Sequence, residues 1–324
     1  MQLYIAIIDS YRKEIVMYGS SYYKLEARRL LKGRYGSALI GTLIFIIPSY
    51  LLTLINFIVM NSVHGILSEG IRLIIEFIFT IFVTNILSVG YFRFLLSYEK
   101  ETPEQPDELF RKHDYNLVVS GYTMNFPNTL RVLFTRQLYM IGWSLVGLVP
   151  LFLFAGLIGY MAYTTDIISN LYNMFVQIMT SPTYDMISSF SDYIISECPY
   201  MPVIISLTMI LTVAAFIPSI MKTYEYMMIP MIMADNPDMD TKHAFARTKD
   251  IMTGFKLRYF FIQLSFLLYI VFAGIILLTT QSVLIYYILM LMFTPYMNMT
   301  FLRFYRERNS TIEYNISIYG QHEP

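Results

Sequence analysis

Long apolar runs separated by short polar stretches organise the chain. Residues 35–68, 77–92, 137–165, 198–221 and 259–302 contain no Asp, Glu, Lys or Arg. About 20 apolar residues cross the hydrocarbon of a bilayer as a helix; four of these runs are long enough and 77–92 is nearly so. The last run holds 44 residues, about 66 Å of helix at 1.5 Å per residue. That length is two crossings, with Thr279-Thr280-Gln281-Ser282 as the polar break between them. The pattern predicts spans over roughly 36–59, 72–93, 138–162, 201–222, 258–279 and 282–303. The expected fold class is all-α: a polytopic membrane helical bundle of six transmembrane helices in three hairpins. It is expected to form a single membrane domain over 1–324, with an N-terminal amphipathic region (1–35), the bundle (36–304) and a tail (305–324).

A polar helix is expected before each hairpin. Tyr23–Tyr35 reads as basic and amphipathic, with Leu25, Leu30 and Leu31 on its apolar edge and Lys24, Arg28, Arg29, Lys32 and Arg34 carrying charge. Pro106–Asn116 opens with Pro-Asp-Glu, a helix start, and continues Leu109-Phe110-Arg111-Lys112. Asp240-Thr241 can cap a helix through His243, Ala244, Phe245, Ala246, Arg247 and Met252. Ala27-Arg28 before Gly33 and Ala246-Arg247 before Gly254 make a faint echo, with an Arg-to-Gly spacing that differs by two. Such helices lie in the interface with Lys and Arg reaching toward anionic lipid, which makes Lys24, Arg28, Arg29 and Lys32 candidate lipid contacts. Positive flanks are expected of any such bundle, so a plain structural role is the simpler account.

The connection 164–200 has its own pattern. Ile167, Ile168, Leu171, Met174, Phe175, Ile178 and Met179 follow helical spacing, as do Met186, Ile187, Phe190, Tyr193 and Ile194, with Ser181-Pro182 between them. Two short helices are expected, on the outer leaflet or capping the bundle. Asp166, Asp185, Asp192 and Glu197 give this segment acidic charge with no basic counterpart. An amphipathic connector is the plain reading; a surface for cations or cationic peptides is the sharper one.

Charge sets the expected orientation. Lys and Arg number seven in 1–34, six in 93–136, six in 222–258 and three after Leu302, leaving only Arg72 of the 23. Basic flanks stay in the cytoplasm, so both termini are expected inside. Composition agrees with the membrane reading: 56% hydrophobic, 14% charged, mean hydropathy +0.52. Net charge is zero, which gives no footprint for nucleic acid. The single cysteine, Cys198, rules out an internal disulfide. Leu3–Ile8 is too short for a signal-peptide core, so the first span is expected to direct insertion.

Candidate chemistry is sparse. Glu76 is the one acid well inside an expected span, four residues after Arg72 on the same helix face. With Asn85 it makes a candidate intramembrane polar site, against the plainer reading of a structural ion pair near the boundary. Asn56, Gln263, Ser265 and Asn298 are candidates for interhelical hydrogen bonds. Pro48, Pro150, Pro218 and Pro295 interrupt spans; kinked packing is the plain account and a substrate path the sharper one. No metalloprotease, serine-hydrolase, phosphate-loop or Cys-x-x-Cys motif occurs. His64, His113, His243 and His322 are scattered, and the 22 methionines read as pliable packing. The chain is therefore not expected to be an enzyme, and neither cofactor nor metal is expected.

Several segments resemble a bacterial integral-membrane family, domain-of-unknown-function family nine-seven-five. They include Ala27-Arg28 with Leu31-Lys32-Gly33, Gly90-Tyr91-Phe92-Arg93, Glu108-Leu109-Phe110 and Trp143. Ile217-Pro218-Ser219-Ile220 is similar to the family's Ile-Pro-Gly-Ile, with Ser219 in place of Gly. Tyr224–Met227, Met231–Pro237, Ala244, Ile251–Lys256, Leu264-Ser265-Phe266, Thr294-Pro295-Tyr296 and Phe304-Tyr305 complete the match. The usual tryptophan after Ser-Phe is absent, and the acidic loop resembles an insertion. The resemblance implies a bacterial cytoplasmic-membrane protein without an established activity, and it supplies no site residues. Two functions are expected to compete. One is a non-enzymatic accessory or scaffold protein, for peptide export, resistance or envelope organisation, with the bilayer, anionic lipids and other membrane proteins or peptides as partners. The other is a small transporter or channel for ions, lipids or peptides.

Overall fold

A chain buried in hydrocarbon has no water to satisfy its backbone, so apolar runs of this length fold as helices. The computed structural model describes residues 19–62, 66–100, 114–164, 167–180, 184–197 and 199–319, and among these every regular element is helical. Leu3–Ile8, most of Pro106–Asn116, His64, His113, Asp166, Cys198 and His322 lie outside the described residues. Six helical stretches are long and apolar enough to cross a membrane: Tyr35–Asn56, Glu69–Glu99, Phe126–Met161, Met201–Asp235, Lys256–Thr280 and Ile285–Tyr314. This is the makeup of an integral membrane protein.

The elements run α1 (Ser20–Leu31), α2 (Tyr35–Ser62), α3 (Ile66–Phe79), a π-helical turn (Thr80–Thr84), α4 (Asn85–Lys100), α5 (Asn116–Val119) and a 3-10 turn (Ser120–Tyr122). Then come α6 (Phe126–Thr164), α7 (Ile167–Thr180), α8 (Tyr184–Glu197), α9 (Met201–Tyr226) and α10 (Ile229–Asp235). The chain ends with α11 (Thr241–Met252), α12 (Lys256–Leu264), α13 (Leu267–Thr280) and α14 (Val283–Tyr319). Two compact units result: one from the residues up to Gln137 together with those from Tyr224 onward, the other from Leu138–Thr223.

In the larger unit, the first and last hairpins pack on each other through α2, α4 and α14. Their core is aromatic, with Tyr23, Tyr91, Phe94, Tyr98, Tyr259, Phe266, Phe304 and Tyr305 all fully buried. The Phe45 and Tyr91 rings stack at 4.7 Å, an arrangement that adds to simple area burial. The 116–122 segment lies so close on α4 that a Cβ at Gly90 would sit 2.0 Å from the Val118 carbonyl oxygen, and one at Gly121 2.3 Å from that of Ile86.

The entries to the first and third hairpins are the same device. α1 and α11 are both 12 residues long, and each ends before a left-handed glycine, Gly33 at φ 76° and Gly254 at φ 78°. Only glycine takes that conformation without strain. The chain turns there, and the next helix starts two residues later. Counted back from the glycines, Ala27 matches Thr248 rather than Ala246, and both are fully buried. In this register the Ala-Arg echo does not align: Arg28 matches Lys249, and the shared features are the buried position and the glycine. The second entry also turns on a left-handed residue, Asn125 at φ 45°. The first entry helix differs from its expected 23–35 span because Gly33 stops it. The third forms where expected, with Asp240 Oδ1 accepting from the His243 backbone N–H at 3.1 Å.

In the smaller unit, α6 and α9 approach at Gly147, where a Cβ would lie 2.8 Å from the Phe216 ring. Elsewhere they leave an apolar cleft of about 490 Å³ between Pro150, Leu153, Phe154 and Leu157 on one side and Ile204, Thr208, Leu211 and Ala214 on the other. The two short helices expected between the spans are present as α7 and α8, joined by Asn170 Nδ2 donating to the Tyr193 hydroxyl at 3.1 Å.

Candidate functional site

Charged residues gather at the end of the larger unit where α1, α4, α10, α11 and α14 meet. α10 has only seven residues, six of them buried, and the last carbonyls of any helix lack internal partners. Arg93 supplies those partners. Its Nε donates to the Ala234 carbonyl at 3.0 Å and a terminal nitrogen to that of Met233 at 3.2 Å. The other terminal nitrogen donates to Ser120 Oγ at 2.9 Å. A cation at a helix C-terminus also complements the helix dipole. Arg136 repeats the device, with Nε 3.0 Å from the carbonyl of Tyr226, the last residue of α9.

A ladder of ion pairs runs beside this clamp. Glu99 accepts from Arg303 at 2.6 Å and from Arg306 at 2.8 Å. Arg306 continues to Asp235 at 3.0 Å, and the Tyr305 hydroxyl reaches the same carboxylate at 3.2 Å. Arg303 also lies 3.8 Å from Glu26 on α1. Tyr23 donates to Glu307, and burial first, that carboxylate second, push its phenol well above the ordinary range. Arg247 holds Asn309 Oδ1 at 2.8 Å and Glu313 at 3.3 Å. Lys256 pairs with Glu225 at 2.8 Å.

Beside the ladder lies an open cleft of about 290 Å³, lined among others by Asp235, His243, Arg247, Asp250, Tyr305 and Glu313. His243 is paired with Asp240. Among the described residues no group of three or more His, Cys, Asp or Glu is placed to hold a metal. Of its lining residues, Asp235, Arg247, Tyr305 and Glu313 take part in the bonds between helices described above.

The two segments that Arg93 joins, Gly90–Arg93 and Met231–Pro237, are both among those noted in the sequence. A family model described as a protein of unknown function, DUF975, matches residues 17–311. The chain belongs to this family. No curated protein and no solved structure matches it. The DUF975 match covers the ladder up to Asn309, while Glu313, the further partner of Arg247, lies just past its end.

The residues singled out beforehand in this DUF975 chain fall apart into groups. Arg72 pairs with Glu76 at 3.0 Å as expected, but also with Glu69 at 2.8 Å, and Asn56 Nδ2 donates to Glu76 at 3.0 Å. Asn85 does not join them. It follows the π turn on α4, buried, with Nδ2 lacking a partner among the described residues. Of the basic four, Arg28, Arg29 and Lys32 are exposed and Lys24 is half-buried, and among the described residues only Lys24 and Arg28 reach across to other helices. Lys24 donates to the Ser265 carbonyl at 2.9 Å, and Arg28 Nε to the Tyr296 hydroxyl at 3.1 Å. Partial burial, then the Arg28 charge, lower the Lys24 pKa from its ordinary 10.5. Asp185 and Asp192 are exposed, seven residues apart on α8. Asp166 is outside the described residues, and so is the side chain of Glu197.

Proposed function

We propose that this DUF975 member is a non-enzymatic accessory or scaffold protein of a bacterial cytoplasmic membrane, with both termini in the cytoplasm. One observation carries the reading: the charged side chains at the polar end are bonded to one another across five helices. A site for chemistry needs a reactive group held ready beside an acid or base, whereas these groups brace a rigid face. A braced polar face on a membrane protein suits the docking of other membrane proteins or peptides, and the exposed Asp185 and Asp192 suit cationic ones. Purification in mild detergent followed by mass spectrometry is the test. A partner or a defined oligomer is expected reproducibly; a monomer that brings nothing down removes the proposal. The orientation is checked separately in a Cys198→Ser background, with an impermeant thiol reagent on Asp192→Cys and Lys242→Cys, expected to label only the first in intact cells.

A second reading, a small transporter or channel, draws on two irregularities. The fifth span breaks at Ser265–Phe266 between α12 and α13, and the second carries a π turn at Thr80–Thr84. Broken helices and π turns recur where transporters bind substrates. Liposomes containing the protein would carry a flux of ions, lipids or peptides; their failure to do so removes this reading.

A further inference from the structure

The break in the fifth span is met by two cations from α1. Lys24 donates to the Ser265 carbonyl and lies 4.3 Å from the centre of the Phe266 ring. Arg28, one turn along α1, bonds the Tyr296 hydroxyl through Nε and covers that ring at 5.4 Å. The Phe266 and Tyr296 rings are themselves in edge contact at 5.5 Å, so the two cations lie on adjoining rings. Among the described residues neither cation has a carboxylate within ion-pair distance, in a unit where Glu99, Asp235, Glu225 and Glu313 all have cationic partners. Two cations one turn apart repel each other, and each has N–H groups beyond those bonds: two on Lys24 and the terminal nitrogens of Arg28. Near these residues in sequence stand exposed apolar side chains, Leu25 on α1, Leu264 on α12 and Leu268 on α13, 62%, 42% and 80% exposed.

We propose that Lys24 and Arg28, at the broken fifth span, bind a phosphate oxyanion, and that its source is the headgroup of an anionic phospholipid. Guanidinium and ammonium groups together supply several charge-assisted donors to phosphate oxygens. The exposed leucines favour lipid over free phosphate because they offer acyl chains an apolar surface beside the headgroup, as with other basic sites that bind lipid headgroups. The site differs from general attraction of a basic helix to anionic membrane, which would use the exposed Arg29 and Lys32 equally. It goes beyond the scaffold reading and does not depend on it.

The test uses the full-length protein in uncharged detergent, with its melting temperature measured on addition of phosphatidylglycerol, phosphatidylcholine or inorganic phosphate. Phosphatidylglycerol is expected to raise the melting temperature by several degrees, phosphatidylcholine to do nothing, and the shift to vanish in K24Q/R28Q but persist in R29Q/K32Q. A shift by inorganic phosphate that is likewise lost in K24Q/R28Q keeps the oxyanion site and assigns it to a soluble anion. Equal loss in both double variants, or no shift in the native protein, overturns the proposal. Should K24Q/R28Q fail to fold, R28Q alone leaves the Lys24–Ser265 bond intact and is read the same way. Native mass spectrometry of the unmutated protein must then also retain phosphatidylglycerol over phosphatidylcholine.

Discussion

Arg93 and Ala234 are 141 positions apart in sequence, yet the guanidinium Nε of one lies 3.0 Å from the carbonyl of the other. The bond closes the C-terminus of a seven-residue helix far too short to hold itself. Replacing Arg93 by Lys keeps the charge and loses the planar fork that serves Met233, Ala234 and Ser120 together. Arg93→Lys is expected to cost about 2 kcal/mol, the price of two stranded buried carbonyls, and Arg93→Ala more. Thermal unfolding of the detergent-solubilised protein measures both.

Glycines divide sharply by what surrounds them. Gly90→Ala and Gly121→Ala would each push a methyl group into a backbone carbonyl, which cannot swing aside as a side chain can. Each is expected to cost about 2 kcal/mol or more and to lower the yield of folded protein. Gly70 and Gly156 have nothing within 4 Å, and alanine there is expected to be neutral or slightly stabilising, since it is the better helix former.

Glu99 is 12% exposed and shared by two arginines. Glu99→Gln removes the carboxylate both share, leaving Arg306 with Asp235 and Arg303 with the more distant Glu26. It is expected to destabilise by about 2 to 3 kcal/mol, below the figure for a fully buried pair because Arg306 is over a third exposed. The double variant Glu99→Gln, Arg306→Gln should recover part of the loss, which a double-mutant cycle on melting temperature reads.

Asp240 gives a pH dependence with a defined sign. The side-chain bond with His243 and the backbone N–H of His243 hold its carboxyl below the ordinary 3.8. A carboxyl with a lowered folded pKa adds stability above its unfolded pKa and loses it as pH falls through the folded value. Protection of the first α11 amides from hydrogen exchange should therefore fall below about pH 4. In Asp240→Asn, which still accepts the capping bond without ionising, that protection should stay flat across the same range.

The spans were legible because hydrocarbon imposes one rule on every residue in them, and the charge-free runs report it directly. The third entry helix was legible for the same local reason: Asp240 signals its own cap. What was hidden depends on partners far along the chain. The 222–258 stretch read as a loop, but Ile229–Asp235 is a buried helix because Arg93 closes it. The fifth span read as continuous, yet it breaks at Ser265, whose carbonyl is taken by Lys24 from 241 positions away. Arg303 and Arg306 entered the sequence argument only as charges that set orientation, and Arg93 only as one of those and as part of a family-like segment. Their individual partners depend on helix rotation, which periodicity in an almost uniformly apolar stretch does not reveal.

The π turn at Thr80–Thr84 has a consequence for everything beyond it. Such a turn fits one more residue than an α turn, and one residue is about 100° of rotation at 3.6 residues per turn. The wide turn absorbs that residue locally, so α4 still aims Tyr91 into the aromatic core and Arg93 at α10. Removing one residue within Thr80–Thr84 would restore an α turn and leave those side chains facing as they do; removing one from the regular helix between Asn85 and Gly90, which has no such slack, would swing them about a quarter of a circle out of line.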